Sequence, residues 1–290
     1  MDMEDMWLVM LVAVGLLARV GMGVYGCGLA RAKNASGMLA RHMTDLCVTT
    51  PVVWGVGMAI LWQHGNGWLG VEPGLLLGNG RAGQPGVLLY VLMALLASGV
   101  VIGTVGERAR FSVTVVMGIV MGGVIVPVVG HWAWVGILAQ HGFVDLGGAG
   151  VVHVAGGVCA LVVAMMVGAR TGKFNRDGSS NAIPGHSVPL MMIGAMLMWA
   201  GWAAYLVAAG IGQGVDGVAG IAMKTLVAGG AGGVMGLWYG RVRFGKVDLF
   251  LMVAGMVGGL VAISAGAHLV APGWALLIGA VAGILVPMAA

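Results

Sequence analysis

Residues 145–158 read DLGGAGVVHVAGGV, an aspartate and a histidine eight positions apart in a run without another charge. The run opens one of a series of apolar stretches that recur along the 290 residues, of which 60% are hydrophobic and 8% charged. Mean hydropathy is +1.01, whereas a soluble domain carries charge on about 25% of its residues. About 20 apolar residues cross a bilayer as a helix, and a spanning helix satisfies its own backbone there. The fold class that follows is an all-α, polytopic membrane protein.

The apolar runs resolve to nine spans, roughly residues 7–30, 38–63, 86–106, 111–136, 146–169, 188–210, 218–239, 248–269 and 273–290. The longest polar stretches, around 64–85 and 170–187, are too short to bury a core of their own. The first residues, MDMEDMWLVMLVAVGLLARVG, carry acids where a cleaved signal peptide carries bases, so they read as a retained span. Cys27, Cys47 and Cys159 fall in apolar runs without metal-ligand spacing and read as small buried hydrophobes. No cofactor or metal is expected, and no nucleophile–base set or phosphate loop points to an enzyme or to a nucleic-acid partner. The 55 glycines suit close helix approach, as in GMVGGL at 255–260, and the 22 methionines suit soft apolar filling.

Charge sets the orientation. Eleven lysines and arginines follow odd-numbered spans: Arg31, Lys33 and Arg41, then Arg108 and Arg110, then Arg170, Lys173 and Arg176, then Arg241, Arg243 and Lys246. The opposite loops hold Arg81 with the acids Glu72 and Asp216. The positive-inside rule then puts the N-terminus outside and residue 290 at the cytoplasmic face.

Ionisable residues within spans need partners. Arg19 lies about 18 Å down the first span and Asp45 about 10 Å up the second. In a hydrocarbon core of about 30 Å these depths nearly coincide, which predicts an Arg19–Asp45 ion pair. Lys224, near the start of the seventh span, is long enough to snorkel outward. Asp145 stands at a glycine-rich helix start, where a carboxylate caps free N–H groups and complements the helix dipole. His153 lies about 12 Å deeper, near the midplane, and must either be satisfied structurally or border a pathway. Gly148, Gly150, Gly156 and Gly157 leave space around its ring.

At this point a resemblance emerges. DLGGAGVVHVAGG resembles the DFAGGTVVHINAG signature of the ammonium transporter family (Amt/Mep/Rh). In chain order, YGCGLARAKN (25–34) resembles FYGGLVRSKN, and GTVGERARFS (103–112) resembles GALAERxRFS. HWAWVGILAQHGFVD (131–145) resembles the family's approach to its fifth span. GHSVPLMMIGAMLMWAGWAAY (185–205) resembles PHNLPxxxxGxxxLWxGWFGF, and PGWALLIGAVAGILV (272–286) resembles PWGALIIGxxAGxxV.

The resemblance implies one membrane domain over 1–290 with an inverted repeat, its first half about 1–170 and an incomplete second half about 185–290. It implies a homotrimer in the bacterial inner membrane, with a pore in each subunit. An aromatic outer vestibule would recruit ammonium by cation–π contact, and ammonia or a separated proton would then pass a hydrophobic pore. Trp134 matches the vestibule tryptophan, Asp145 the acid near the recruitment site, and His153 the first pore histidine. Trp202 matches a pore-side tryptophan, and Tyr205 a gate phenylalanine whose ring it keeps. Departures accompany these matches. Met93 stands for the other gate phenylalanine, Ala209 for a vestibule serine and Leu206 for an asparagine, while Arg19 and Val20 replace a threonine–proline step. The chain stops near the end of the ninth span, ahead of the second pore histidine and of the tail that meets PII-type regulators. It therefore reads as a truncated member without a PII partner. The other histidines are expected away from His153: His42 and His186 toward the cytoplasmic side, His64, His131, His141 and His268 toward the outer loops. A non-transporting or sensing subunit, or a channel for a neutral gas such as CO2, stays open beside ammonium transport.

The orientation has a direct check. In a cysteine-free background, Glu4→Cys should react with a membrane-impermeant maleimide in intact cells, and Arg176→Cys only after permeabilisation. The reverse pattern would overturn the assignment.

Overall fold

The structure is a computed structural model, and it describes residues 3–61, 67–70 and 84–289. His64, Glu72 and Arg81 lie outside the described residues. Among the described residues nine apolar helices follow in order: α1 Met3–Leu29, α2 Ala32–Leu61, α3 Pro85–Val105, α4 Ser112–Gln140, α5 Ala149–Val167, α6 Val188–Gly212, α7 Val218–Phe244, α8 Leu249–Ile263 and α9 Pro272–Ala289. Eight of them are long and apolar enough to cross a membrane. The eighth expected span, 248–269, is shorter than its apolar run, because α8 has 15 residues and the chain turns after Ile263.

Local chemistry explains several boundaries. Pro85 begins α3, where its missing N–H is no loss. The side chain of Asp248 caps α8 by accepting from the N–H groups of Phe250 (2.8 Å) and Leu251 (3.4 Å). Gly245, at φ 71°, closes α7 in the left-handed conformation that glycine adopts without strain. Two helices widen to π-helical turns beside prolines. Pro51 precedes the turn Val53–Gly57 in α2, and Pro127 follows the turn Met121–Ile125 in α4. A proline withholds one donor from the ladder, and a bulge is one way a helix absorbs that defect.

The chain gathers into two compact units. One comprises Met1–Ala18, Val144–Ala149 and Ala195–Ala290. Within it α7, α8 and α9 meet backbone to backbone. A side chain on Gly255 or Gly283 would strike the carbonyl of Gly232, and one on Gly259 or Gly279 that of Ala228. This is the close packing that small residues permit in lipid, and GMVGGL is part of it. Lys224 turns its Nζ to the Val270 carbonyl at 3.1 Å.

The other unit comprises Arg19–Phe143 and Gly150–Gly194. The expected ion pair is present: Arg19 Nη2 lies 2.6 Å from Asp45 Oδ2, with side chains 1% and 0% exposed. Sequence reasoning gave His42 no part in it. Yet His42 lies three residues before Asp45, on the same helix face, and its Nδ1 accepts from Arg19 Nη1 at 2.8 Å.

Just past α3, Glu107 collects donors from two of the basic loops. Asn34 Nδ2 approaches at 2.7 Å, the Arg31 N–H and Nε at 3.2 Å each, and Arg170 Nη1 at 3.1 Å. Burial alone would raise its carboxyl pKa, but the bonds from Asn34 and Arg31 and the charge of Arg170 outweigh that and hold it below the usual value. Its contribution to stability is thus present above the ordinary carboxylate range and is lost as pH falls through the lowered value. Cys27 and Cys159 are half-buried, but Cys47 is exposed on α2, against the buried reading; a thiol is apolar enough to face hydrocarbon.

Removing one member of the buried pair should be worse than removing both. Arg19→Met leaves a lone buried carboxylate, costing about 3–5 kcal/mol, or on the order of 10 °C in the unfolding midpoint of the detergent-purified protein. Arg19→Met with Asp45→Leu should recover most of that loss. Equal damage by single and double variants would show the pair to be unimportant.

Candidate functional site

The unit containing α3 holds a small apolar pocket. Val53 and Gly57 come from the π turn of α2, Tyr90, Met93 and Ala94 from α3, and Val126, Pro127 and Trp134 from α4. At the α2 bulge the two helices lie close together, since a Cβ on Gly57 would stand 2.5 Å from the Gly122 carbonyl oxygen and 2.9 Å from Pro127 Cγ. The cavity measures about 10 Å³, roughly the space one water-sized molecule occupies. Trp134 is half-buried and meets Tyr90 edge-on, with ring centroids 5.4 Å apart at 64°. Met93 is 1% exposed. The structure thus brings together two of the expected residues, Met93 and Trp134, and adds Tyr90. The signal for Tyr90 was its position three residues before Met93, one helical turn away.

Beside the pocket, Trp132 donates from Nε1 to the Trp68 carbonyl at 2.9 Å, and the two rings meet edge-on at 6.2 Å. His131 is buried, its Nδ1 3.0 Å from the Leu61 carbonyl. His153 occupies the π turn Ala149–Val154 that starts α5. The residue is half-buried, between a fully buried Val152 and an exposed Val154. Three residues on, a Cβ on Gly156 would stand 2.9 Å from the Ala97 carbonyl oxygen, so only glycine lets α5 lie this close to α3.

The other unit holds the remaining expected residues around the non-helical segment 145–148. Asp145 is 3% exposed, and its Oδ1 accepts the Ala149 N–H at 2.5 Å, the capping role its position suggested. The Leu146 N–H donates to the Ala265 carbonyl at 3.0 Å and the Gly147 N–H to the Ser264 carbonyl at 2.9 Å. Gln213 Nε2 donates to the Leu146 carbonyl at 2.7 Å, and the Tyr205 hydroxyl donates to the Gly147 carbonyl. Trp202 donates from Nε1 to Ser264 Oγ at 2.9 Å and stands 6.2 Å from the Tyr205 ring. Tyr205 is fully buried. Its hydroxyl, which a phenylalanine would lack, ties the ring to the segment and so limits its swing. Ser264 and Gln213 were missed because Trp202, the Gly147 N–H and the Leu146 carbonyl, which they meet, lie more than 60 residues away along the chain. Among the described residues no group of three or more His, Cys, Asp or Glu is placed to hold a metal ion.

The chain is similar to known proteins along most of its length. The model described as Ammonium Transporter Family matches residues 6–290. Ammonium transporter Amt2 of Archaeoglobus fulgidus is 31% identical over 301 residues, covering 98% of this chain and 64% of its own. Ammonium transporter 1 member 1 of Oryza sativa subsp. japonica is 30% identical, covering 87% of this chain and 56% of its own. A solved structure described as a sensor Amt protein superposes with a TM-score of 0.93 at 28% identity, covering 99% of this chain and 74% of that one. Candida albicans Mep2 shares the fold, with a TM-score of 0.89 at 22% identity over 100% of this chain and 66% of that one. The chain spans between about half and two thirds of the length of these curated relatives.

The two aromatic anchors should differ in cost. Tyr205→Phe leaves the Gly147 carbonyl without its donor in a buried place, about 1–3 kcal/mol. Trp202→Phe should cost less, because Ser264 keeps its bond to the Leu260 carbonyl at 2.7 Å. Unfolding midpoints of the two variants give the order, and the reverse order would refute this account of the segment.

Proposed function

The chain belongs to the ammonium transporter family, and on that premise we propose that it forms a transmembrane pathway for ammonium or ammonia. The observation that carries the reading is the pocket itself. Its walls are apolar side chains and two aromatic rings, Tyr90 and Trp134, and it has room for one molecule of ammonia's size. A cation is held there by ring faces or gives up its proton, since an apolar site this small offers a bare charge no solvation. Trp134 and Tyr90 recruit the cation, Met93 forms a soft constriction, and Asp145 supplies negative charge near the start of α5. The His153 imidazole, able to donate and to accept, passes ammonia or a separated proton. Trp202 and Tyr205 fix the segment that leads into α5. The pathway operates in a homotrimer with the N-terminus outside, and 1–170 and 185–290 are the two halves of an inverted repeat.

A second reading, a non-conducting ammonium sensor, is favoured by one feature. The Tyr205 hydroxyl ties its ring to the Gly147 carbonyl, so a gate at this position would be held shut. The similarity to a sensor Amt protein points the same way.

Proteoliposomes distinguish the two. Under an inward ammonium gradient the lumen should alkalinise as ammonia enters and takes up a proton. His153→Ala should slow this on the order of a hundredfold. A wild-type protein that neither alkalinises the lumen nor carries an ammonium-evoked current, yet whose tryptophan fluorescence titrates with ammonium, is a sensor. Flux indifferent to His153→Ala would move the pathway elsewhere.

A further inference from the structure

Polar side chains from three helices meet inside the second unit without touching the pocket. Asp45, on α2, is fully buried and has both oxygens engaged. Oδ2 accepts from Arg19 of α1 at 2.6 Å and from Ser98 of α3 at 2.7 Å, and Oδ1 accepts from Thr49 at 3.0 Å. Ser98 Oγ also lies 3.2 Å from the Leu95 carbonyl, but its single proton favours the shorter bond to a charged acceptor. Arg19 has no acceptor atoms, so the Nδ1 of His42 at 2.8 Å must accept from it. The guanidinium is thereby held on two sides, and Asp45 is held by the guanidinium.

The placement of this cluster matters more than its charge. Counting along α2 in fours gives Asp45, Thr49, Val53 and Gly57; counting back along α3 gives Ser98, Ala94 and Tyr90. Residues four apart share a helix face. One stripe on each helix therefore runs from the polar cluster to the pocket, where Val53, Gly57, Ala94 and Tyr90 are wall residues. On α3 the neighbour of Ser98 is Ala97, whose carbonyl receives Gly156 of α5, three residues past His153. A turn of α3 about its axis would break the Ser98–Asp45 bond and shift Met93 and the α5 contact together.

We propose that Ser98 and Asp45 are positioning residues: their hydrogen bond sets the rotation of α3, and through it both the Met93 wall of the pocket and the seat of the His153 helix. Arg19 and His42 make the anchor rigid by fixing the carboxylate from α1. On the α2 stripe the next hydroxyl, that of Thr49, is already given to Asp45 Oδ1 at 3.0 Å, and Val53 and Gly57 beyond it are apolar, so α2 offers Ser98 no substitute. The transport consequence rests on the pathway reading above; the geometric consequence does not.

The test uses the full chain in liposomes and two substitutions of nearly equal shape, Ser98→Thr and Ser98→Val, which differ in the hydroxyl. Met93→Cys, in a background with Cys27, Cys47 and Cys159 changed to Ala, reports the rotation through its rate of alkylation by N-ethylmaleimide. Val at 98 should change that rate about tenfold, the worth of one hydrogen bond to a charged group, and Thr should restore it to within about twofold. With Met93 intact, Val should lower the maximal ammonia flux by a similar factor while leaving half-saturation in place, and Thr should rescue it. A generally loosened fold would respond to both substitutions alike. If the extra methyl prevents folding of both, Ser98→Ala against the parent takes their place, with the same expected change. An alkylation rate at 93 indifferent to the hydroxyl overturns the proposal. Absence of flux in the parent would instead count against the pathway reading, while the alkylation comparison still decides this one.

Discussion

A backbone in hydrocarbon has no water to bond with, and among the described residues several departures from a regular helix answer to that constraint. Segment 145–148 is the fullest instance. It leaves helical geometry ahead of α5, and its exposed N–H and C=O groups are met by the Asp145 carboxylate, the Ser264 and Ala265 carbonyls, Gln213 and the Tyr205 hydroxyl. The same constraint accounts for the bulges beside Pro51 and Pro127, where widened turns take up the missing donor. The α2 bulge also lends Val53 and Gly57 to the pocket wall.

Asp45 and Glu107 are two carboxylates buried in different ways. Within the span the Arg19–Asp45 pair is closed: hydroxyls from Ser98 and Thr49 and a ring nitrogen from His42 complete its shell. A pair completed in this way is tolerated in low dielectric, whereas either member alone is not. Just past α3, Glu107 draws on two basic loops, and Arg31 and Arg170 remain partly exposed around it. The first arrangement locks helices to one another; the second ties loop ends together.

The residues matched to a permeation path divide by environment. Met93 and Trp134 share an apolar pocket, and His153 starts a helix that glycine holds against α3. Asp145, Trp202 and Tyr205 all have backbone or hydroxyl partners, so each carries a structural duty whatever else it does. A tyrosine in place of a phenylalanine is the clearest case, because its hydroxyl converts a ring that could swing into a tethered one.

Much of this was legible from residues alone. Apolar run length determined the helices, since about 20 residues must cross the core, and matching depths predicted the Arg19–Asp45 pair because a buried charge needs a partner at its own level. The carboxylate of Asp145 before a glycine-rich start predicted its cap. The tertiary structure alone decided that His42 and Ser98 join the ion pair, that Tyr90 walls the pocket with Met93 and Trp134, and that Ser264 and Gln213 hold a segment more than 60 residues away in the chain. Such choices depend on how each helix is rotated about its axis. Hydrophobic periodicity leaves that angle open in a chain whose helices are apolar on nearly every face, so packing between helices has to set it.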